Sequence, residues 1–291
     1  MDTENQTENQ TEQLTKRVVA VDSQILNNME TCYYKWYLYN LMNYRPKNKS
    51  KAFDKGWLVH EIIRAYYTAK IDKQSWAESV KIAMEIGHMK VQEVNLPLED
   101  ITQAIETCNQ YMNFYRGELW KPLAVEEKFS YKFYEDAELI ILYEGIVDLR
   151  VETDVDPNHP VDHKTTSRND QIHPLNNQFI GYCRAHNASR MTINRLGFQK
   201  SLKAEEKFTR HLKSYSKEVQ EEWAQDVIHT VKMGILHHDM GIFPRNFTSC
   251  DGKYGPCMFS DPCGTELKAR EWKLKVEFDQ PDEGWDPLAR D

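Results

Sequence analysis

Midway along this chain the spacing of apolar residues changes, and that change limits the folds open to it. Up to Tyr115 they recur at helical intervals. Ile25, Met29, Cys32, Trp36 and Tyr39 mark a first helix, for which Ser23 is a plausible N-cap. The Pro- and Lys-rich stretch 43–51 breaks it. A second helix over Ala52–Lys70 aligns Phe53, Trp57, His60, Arg64 and Tyr67, and Trp76–Glu93 and Leu98–Tyr115 form a further pair that Pro122 closes. Ala124–Tyr134, Glu138–Val151 and Pro160–Thr166 are instead rich in Val, Ile, Tyr and Phe and alternate in places. Glu135-Asp136 and the turn-prone Asp154–Pro160 separate them, as antiparallel strands require. A helix with Gln178, Tyr182 and Ala185, a strand near Met191–Phe198 and a helix over Lys217–Leu236 follow. The order predicts an α/β core with a helical insertion at about 71–121.

At 291 residues the chain is near the upper limit for one hydrophobic core, so one large domain with insertions, or two closely joined ones, is expected. No uncharged apolar stretch reaches the roughly 18 residues of a membrane helix. The polar start MDTENQTENQTEQ has neither the basic nor the hydrophobic region of a secretory signal. A cytoplasmic protein with reduced thiols is the expectation, its six cysteines serving as metal ligands or buried thiols. Residues 1–16 read as a disordered polar tail, 17–270 as the main domain and 271–291 as a C-terminal extension. Net charge is 37 − 45 = −8, against a surface coated in nucleic acid. Yet Arg184–Lys213 holds eight Lys/Arg against two Glu, and Lys35–Lys55 six against one Asp. Such stretches serve either as solvated helix faces or as the wall of a groove for a polyanion.

The chemistry-bearing residues lie on the strands. Asp148 closes Tyr143-Glu144-Gly145-Ile146-Val147-Asp148, and Asp162 and Lys164 lie two apart in Pro160-Val161-Asp162-His163-Lys164-Thr165-Thr166. Residues i and i+2 of a strand share a face, and a partner strand can bring Asp148 beside them. Two carboxylates at a sheet edge suit Mg²⁺ or Mn²⁺. A neighbouring lysine can orient a water and offset charge on a phosphorane-like transition state. Taken alone, D-x-K also describes an exposed strand pair.

These strands resemble those of the PD-(D/E)XK nuclease superfamily, within it the RecB-type branch that includes the CRISPR-associated iron–sulfur exonucleases and the AddB nuclease domain. Ser23–Tyr37 resembles the opening helix of that branch, Gly56-x-x-x-His60 its G-x-x-x-H helix and Gln178-x-x-x-Tyr182 its Q-x-x-x-Y helix. The resemblance covers roughly residues 20–265. It implies a restriction-endonuclease-like mixed central sheet flanked by helices. It also implies that His60, Asp148 and Asp162, with the Val161 carbonyl, bind Mg²⁺ or Mn²⁺, that Lys164 assists the attacking water, and that Gln178 and Tyr182 contact the DNA backbone or brace the site. His163 stands where a bulky apolar or aromatic residue is usual. The implied activity is a metal-dependent DNA exonuclease acting on single strands or ends in DNA recombination or repair, with a recombination or replication protein as partner. A non-catalytic DNA-binding or assembly subunit that keeps the fold is the alternative.

Cys250, Cys257 and Cys263 are spaced C-x6-C-x5-C in a loop rich in Gly and Pro, which lets sulfurs converge on a soft metal. Spacing does not separate zinc from iron–sulfur. The resemblance supplies Cys32 as a fourth ligand and implies a [4Fe–4S] cluster stapling the two chain ends, with structural Zn²⁺ as the alternative. Tyr33, where proline is common, and the long first gap depart from the branch pattern. Cys108 and Cys183 read as core thiols.

Overall fold

The computed structural model describes residues 16–47, 51–166, 175–252, 255–282 and 284. The tail expected over 1–16 therefore lies, apart from Lys16, outside the described residues. The first element is a strand that helical periodicity does not announce, β1 (Arg17–Val21), followed by α1 (Ser23–Thr31) and the short α2 (Tyr33–Trp36). Asp22, not Ser23, caps α1, its carboxylate accepting the Ile25 N–H at 2.6 Å. Cys32 is extended (φ −169°, ψ 116°) and divides in two what the sequence reads as one helix. A π-helical turn over Tyr37–Leu41 leads to β2 (Arg45–Pro46).

Then come α3 (Lys51–Ile71), α4 (Trp76–Lys90) and α5 (Leu98–Phe114). The face of α3 that enters the core carries Leu58, Val59, Ile62, Ile63, Tyr66 and Tyr67, while Phe53 is exposed. Pro122, expected to end the helices, lies inside β3 (Lys121–Glu135), beside a shift of register where a missing N–H costs little. β4 (Leu139–Thr153) returns along β3. β5 (Asp156–Thr166) begins four residues before the expected Pro160, because Asp156 already pairs with Thr153. α6 (Asn177–Ala185), β6 (Arg190–Gly197), α7 (Ala204–Lys207), β7 (Phe208–Ser214) and α8 (Lys217–Met240) complete the core. The C-terminal region holds the two-residue strands β8 (Asp251–Gly252) and β9 (Gly255–Pro256), then α9 (Ser260–Cys263), α10 (Leu267–Glu277) and β10 (Phe278–Asp279), which pairs with β2.

One mixed sheet organises these elements. β3 runs antiparallel along one edge of β4. On the other edge, β1 pairs in parallel with residues 139–143 and β5 antiparallel from Leu149 onward. Between them, residues 144–148 of β4 have neither neighbour, so the sheet forks there. β6 follows β5 in parallel and antiparallel β7 closes the edge. Helices cover both sides. α1, α6 and α8 pack Leu26, Phe179, Trp223 and Val227 around Tyr143 and Ile193, while α3, α4 and α5 pack Ile62, Tyr67 and Tyr111 on Leu149, Val161 and Leu196. Cys108 and Cys183 are buried in these layers. Among the described residues no helix is long and apolar enough to cross a membrane.

Three residues of the two basic stretches are used internally. Lys55 is buried against Asp100, Arg195 is buried, and Arg210 is sandwiched between Tyr115 and Trp120 while pairing with Glu118.

Candidate active site

The fork in the sheet is where the predicted residues meet. Antiparallel pairing between β4 and β5 stops at Leu149 and Val161. Beyond that point Asp148 Oδ2 accepts the His163 backbone N–H at 2.7 Å, a side chain standing in for a ladder bond. On the far side of the fork the buried Tyr182 hydroxyl donates to the Ile146 carbonyl at 2.7 Å. The opening thus leaves both groups bonded while keeping β4 and β5 apart.

α3 reaches this point because it carries Gly56. A Cβ there would stand 3.2 Å from Thr165 Oγ1 on β5, tighter than ordinary contact. One turn on, His60 Nδ1 lies 3.7 Å from Asp148 Oδ1. Glu126 is the residue that sequence reasoning missed. It sits between the pairs Val125–Leu149 and Glu127–Val147, and so across from Asp148, with a left-handed backbone (φ 51°). For a non-glycine residue that conformation costs on the order of 1–3 kcal/mol. It separates two adjacent glutamates: Glu127 forms a bidentate pair with Arg150, while one carboxylate oxygen of Glu126 joins His60 and Asp148 in a group of ligand atoms all within 4.8 Å of one another.

Asp162 stands beside this group and outside it. Its carboxylate, almost fully buried, receives the Lys164 ammonium at 3.0–3.1 Å on its two oxygens. The same ammonium donates to Gln178 Oε1 at 3.0 Å, and Gln178 Nε2 donates to the Tyr182 hydroxyl at 2.9 Å. Gln178 and Tyr182 are one helical turn apart on α6, whose N-cap is Asn176. Burial, followed by the charges of Asp162 and Asp148, pushes the Tyr182 pKa well above its usual value, so the phenol keeps the proton it donates to Ile146. Asp162, Lys164, Gln178, Tyr182 and the Ile146 carbonyl form one hydrogen-bonded chain across the fork. One imidazole and two carboxylates together are a donor set that suits Mn²⁺ or Mg²⁺.

A second constellation lies at the far end of α1. Cys32, Cys250, Cys257 and Cys263 line one cavity of about 490 Å³. The loop is tied to the α1–α2 corner independently of sulfur: Asn246 Nδ2 and Ser249 Oγ both donate to the Thr31 carbonyl, and the Tyr34 N–H donates to the Pro244 carbonyl. The Asn246 N–H points at Cys32 Sγ (3.4 Å), and Arg245 and Arg270 both donate to the Cys263 carbonyl. Burial, then the neighbouring Cys257 and Cys32, pushes the Cys263 thiol up to about 11. Among the described residues no three of these sulfurs lie within 4.8 Å of one another.

A protein-family model described as the PD-(D/E)XK nuclease superfamily matches residues 23–264. Among solved structures, the chain is similar to a candidate exonuclease from Eubacterium rectale, with 12% identity over 84% of this chain and 90% of the other and a TM-score of 0.44. It is also similar to a protein named SSO0001, with 11% identity over 72% and 84% and a TM-score of 0.33. No curated protein matches the sequence.

Proposed function

The chain belongs to the PD-(D/E)XK nuclease superfamily, and on that footing we propose that it is a DNA exonuclease of the RecB-type branch that uses Mg²⁺ or Mn²⁺. The observation that carries this reading is the grouping of His60, Glu126 and Asp148 donor atoms within 4.8 Å, at a fork whose other wall is the Asp162–Lys164 pair. A divalent ion held there supplies Lewis acidity to the scissile phosphate and lowers the pKa of a water. His60, Glu126 and Asp148 would hold it, with Asp162 as a further candidate ligand. Lys164, fixed between Asp162 and Gln178, offers its ammonium to the phosphate oxygens where negative charge develops. Gln178 sets the direction of that ammonium. Tyr182 holds Gln178 in turn by accepting from its amide. Single strands or strand ends are the substrate in this reading.

The cysteine cavity is read as the seat of a structural [4Fe–4S] cluster. Cys32 and the three C-terminal cysteines all line that one cavity, which supports a shared four-cysteine ligand set.

Incubation of anaerobically purified protein with end-labelled single- and double-stranded DNA tests the reading. Cleavage requiring Mg²⁺ or Mn²⁺, reduced about 10²–10⁴-fold in Lys164→Ala, is expected. Undiminished cleavage by Asp162→Ala and Lys164→Ala proteins would reject it. Iron and acid-labile sulfide analysis decides between cluster and zinc.

A further inference from the structure

Behind the fork, on the side of β5 away from α6, lies a buried polar network that nothing in the proposed chemistry requires. Its centre is His163, the residue between Asp162 and Lys164. The His163 ring is buried and stacks on Tyr67 of α3 with an interplanar angle of 11° and centroids 5.9 Å apart. Its Nδ1 lies 2.7 Å from Nδ2 of Asn194, the residue beside it on β6. An amide nitrogen only donates, so in this contact Nδ1 is the acceptor. The second hydrogen of that amide goes to the Tyr111 hydroxyl at 2.8 Å. Tyr67 has one hydroxyl hydrogen and gives it to Glu118 (3.3 Å), so the 2.8 Å bond between the two phenols is donated by Tyr111. Glu118 is itself fixed by Lys70 and Arg210. Each bond in this sequence has a single sense, running from Asn194 to Glu118. Stacking on Tyr67 and the hydrogen bond from Asn194 both hold the imidazole plane.

Next to the His163 ring lies His60. The two imidazoles meet edge to face, with centroids 6.1 Å apart and an interplanar angle of 74°. His60 lies on α3 seven residues before Tyr67, so the two residues that contact the His163 ring belong to one helix, two turns apart. A histidine ring, with three staggered wells at χ1 and a broad torsion at χ2, has several orientations available. Packing against the His163 ring leaves fewer of these open to His60, whose Nδ1 lies beside Asp148.

We infer that His163 is a positioning residue, a rigid aromatic wall that sets the orientation of the His60 ring and through it the affinity of the site for a divalent cation. The inference rests on the metal-binding reading of His60 given above. Partners that orient a ligating histidine change metal affinity by about 10–100-fold when removed. The wall acts by its planar shape, so a flat ring without nitrogens serves in its place, and a flexible side chain of similar volume does not.

The experiment is a Mn²⁺ binding isotherm, read by electron paramagnetic resonance of the free ion, on the full chain without nucleic acid. Wild type, His60→Ala, His163→Leu, His163→Phe and the His60→Ala/His163→Leu double variant are compared after thermal unfolding has shown each to be folded. Binding weakened at least tenfold by His163→Leu, kept within about threefold by His163→Phe, and no weaker in the double variant than in His60→Ala alone supports the inference. Wild-type affinity in His163→Leu, equal losses in the Leu and Phe variants, or losses that multiply in the double variant would overturn it. If His163→Leu does not fold, the comparison of His163→Phe with wild type decides by the same threefold limit. Failure of the underlying reading looks different: His60→Ala then binds Mn²⁺ as the wild type does.

Discussion

Replacing Gly181 with alanine tests how tightly the fold is tied to the site. Gly181 lies on α6 between Gln178 and Tyr182, where the helix crosses β4. A Cβ at this position would stand 2.3 Å from Cζ and the hydroxyl oxygen of Tyr143 and 2.4 Å from its Cε1. Ordinary contact begins near 3.4 Å, so ring and helix must separate by about 3.4 − 2.3 = 1.1 Å. Tyr143 cannot supply that movement, since it is fully buried between Phe129, Phe133 and Trp223. Its hydroxyl also donates to the Asn177 carbonyl at 2.9 Å, at the first turn of the helix that would have to move. Overpacking of this kind costs about 1–3 kcal/mol, and the strained hydroxyl bond adds about 1 kcal/mol. For a chain of this length the sum of about 2–4 kcal/mol lowers the melting temperature by roughly 3–7 °C. Displacement of α6 also moves Gln178 away from the Lys164 ammonium. Metal-dependent cleavage by the folded variant should therefore fall, beyond what its unfolded fraction explains. Circular dichroism melts and cleavage at 25 °C read the two effects. Tyr143→Leu in the same chain opens space, so the double variant should be more stable than the two single losses summed, by more than about 1 kcal/mol. A Gly181→Ala protein that melts within 1 °C of wild type, or strict additivity with Tyr143→Leu, would refute the reasoning.

Three further outcomes are expected. Glu126→Gln should weaken Mn²⁺ binding at least tenfold, while Glu127→Gln, which loses only the Arg150 pair, should bind as wild type; calorimetric titration separates them. Cys32→Ala should lose iron and brown colour, together with the closure of a loop of 250 − 32 = 218 residues. By analogy with a disulfide that closure is worth up to roughly 5 kcal/mol, and metal analysis with denaturant unfolding reads both losses. Burial holds His159 below its usual 6.5 despite the neighbouring Asp156, and burial lowers His186 and His211 in the same direction. The unfolded chain therefore takes up these protons first. Stability should fall as pH drops below 6.5, and His159→Gln should flatten the melting temperature against pH there.

The parts of this fold that were legible in the sequence are those whose signal is local. Alternation in Glu138–Val151 finds β4 to within two residues, and the spacing of two between Asp162 and Lys164 places them together because a strand has no other way to arrange i and i+2. The sequence reading passes over β1, since Arg17-Val18-Val19-Ala20-Val21 is only five residues long and finds its partner at residues 139–143, more than a hundred positions away. It passes over β7 for a different reason: Phe208–Ser214 is an edge strand whose alternate positions carry Arg210, Leu212 and Ser214 rather than an apolar row. Charge counts in the basic stretches do not reveal partners: Glu118 holds Arg210 in the interior.

Glu126 shows where local reasoning stops. Two glutamates in succession on a strand put one carboxylate on each face, and period two does not say which face will hold an ion. That choice is made by a left-handed residue in β3, a conformation that no side chain at this position favours. What makes it worthwhile is the fork opposite: β4 has exchanged β1 for β5 and left Asp148 without a strand neighbour on that edge. A ladder that continued unbroken would bury Asp148 between β3 and β5 and give Glu126 no reason to turn inward. The strained residue and the broken ladder thus belong to one device. It places a third ligand by spending backbone regularity on both strands, and a one-dimensional pattern records regularity only.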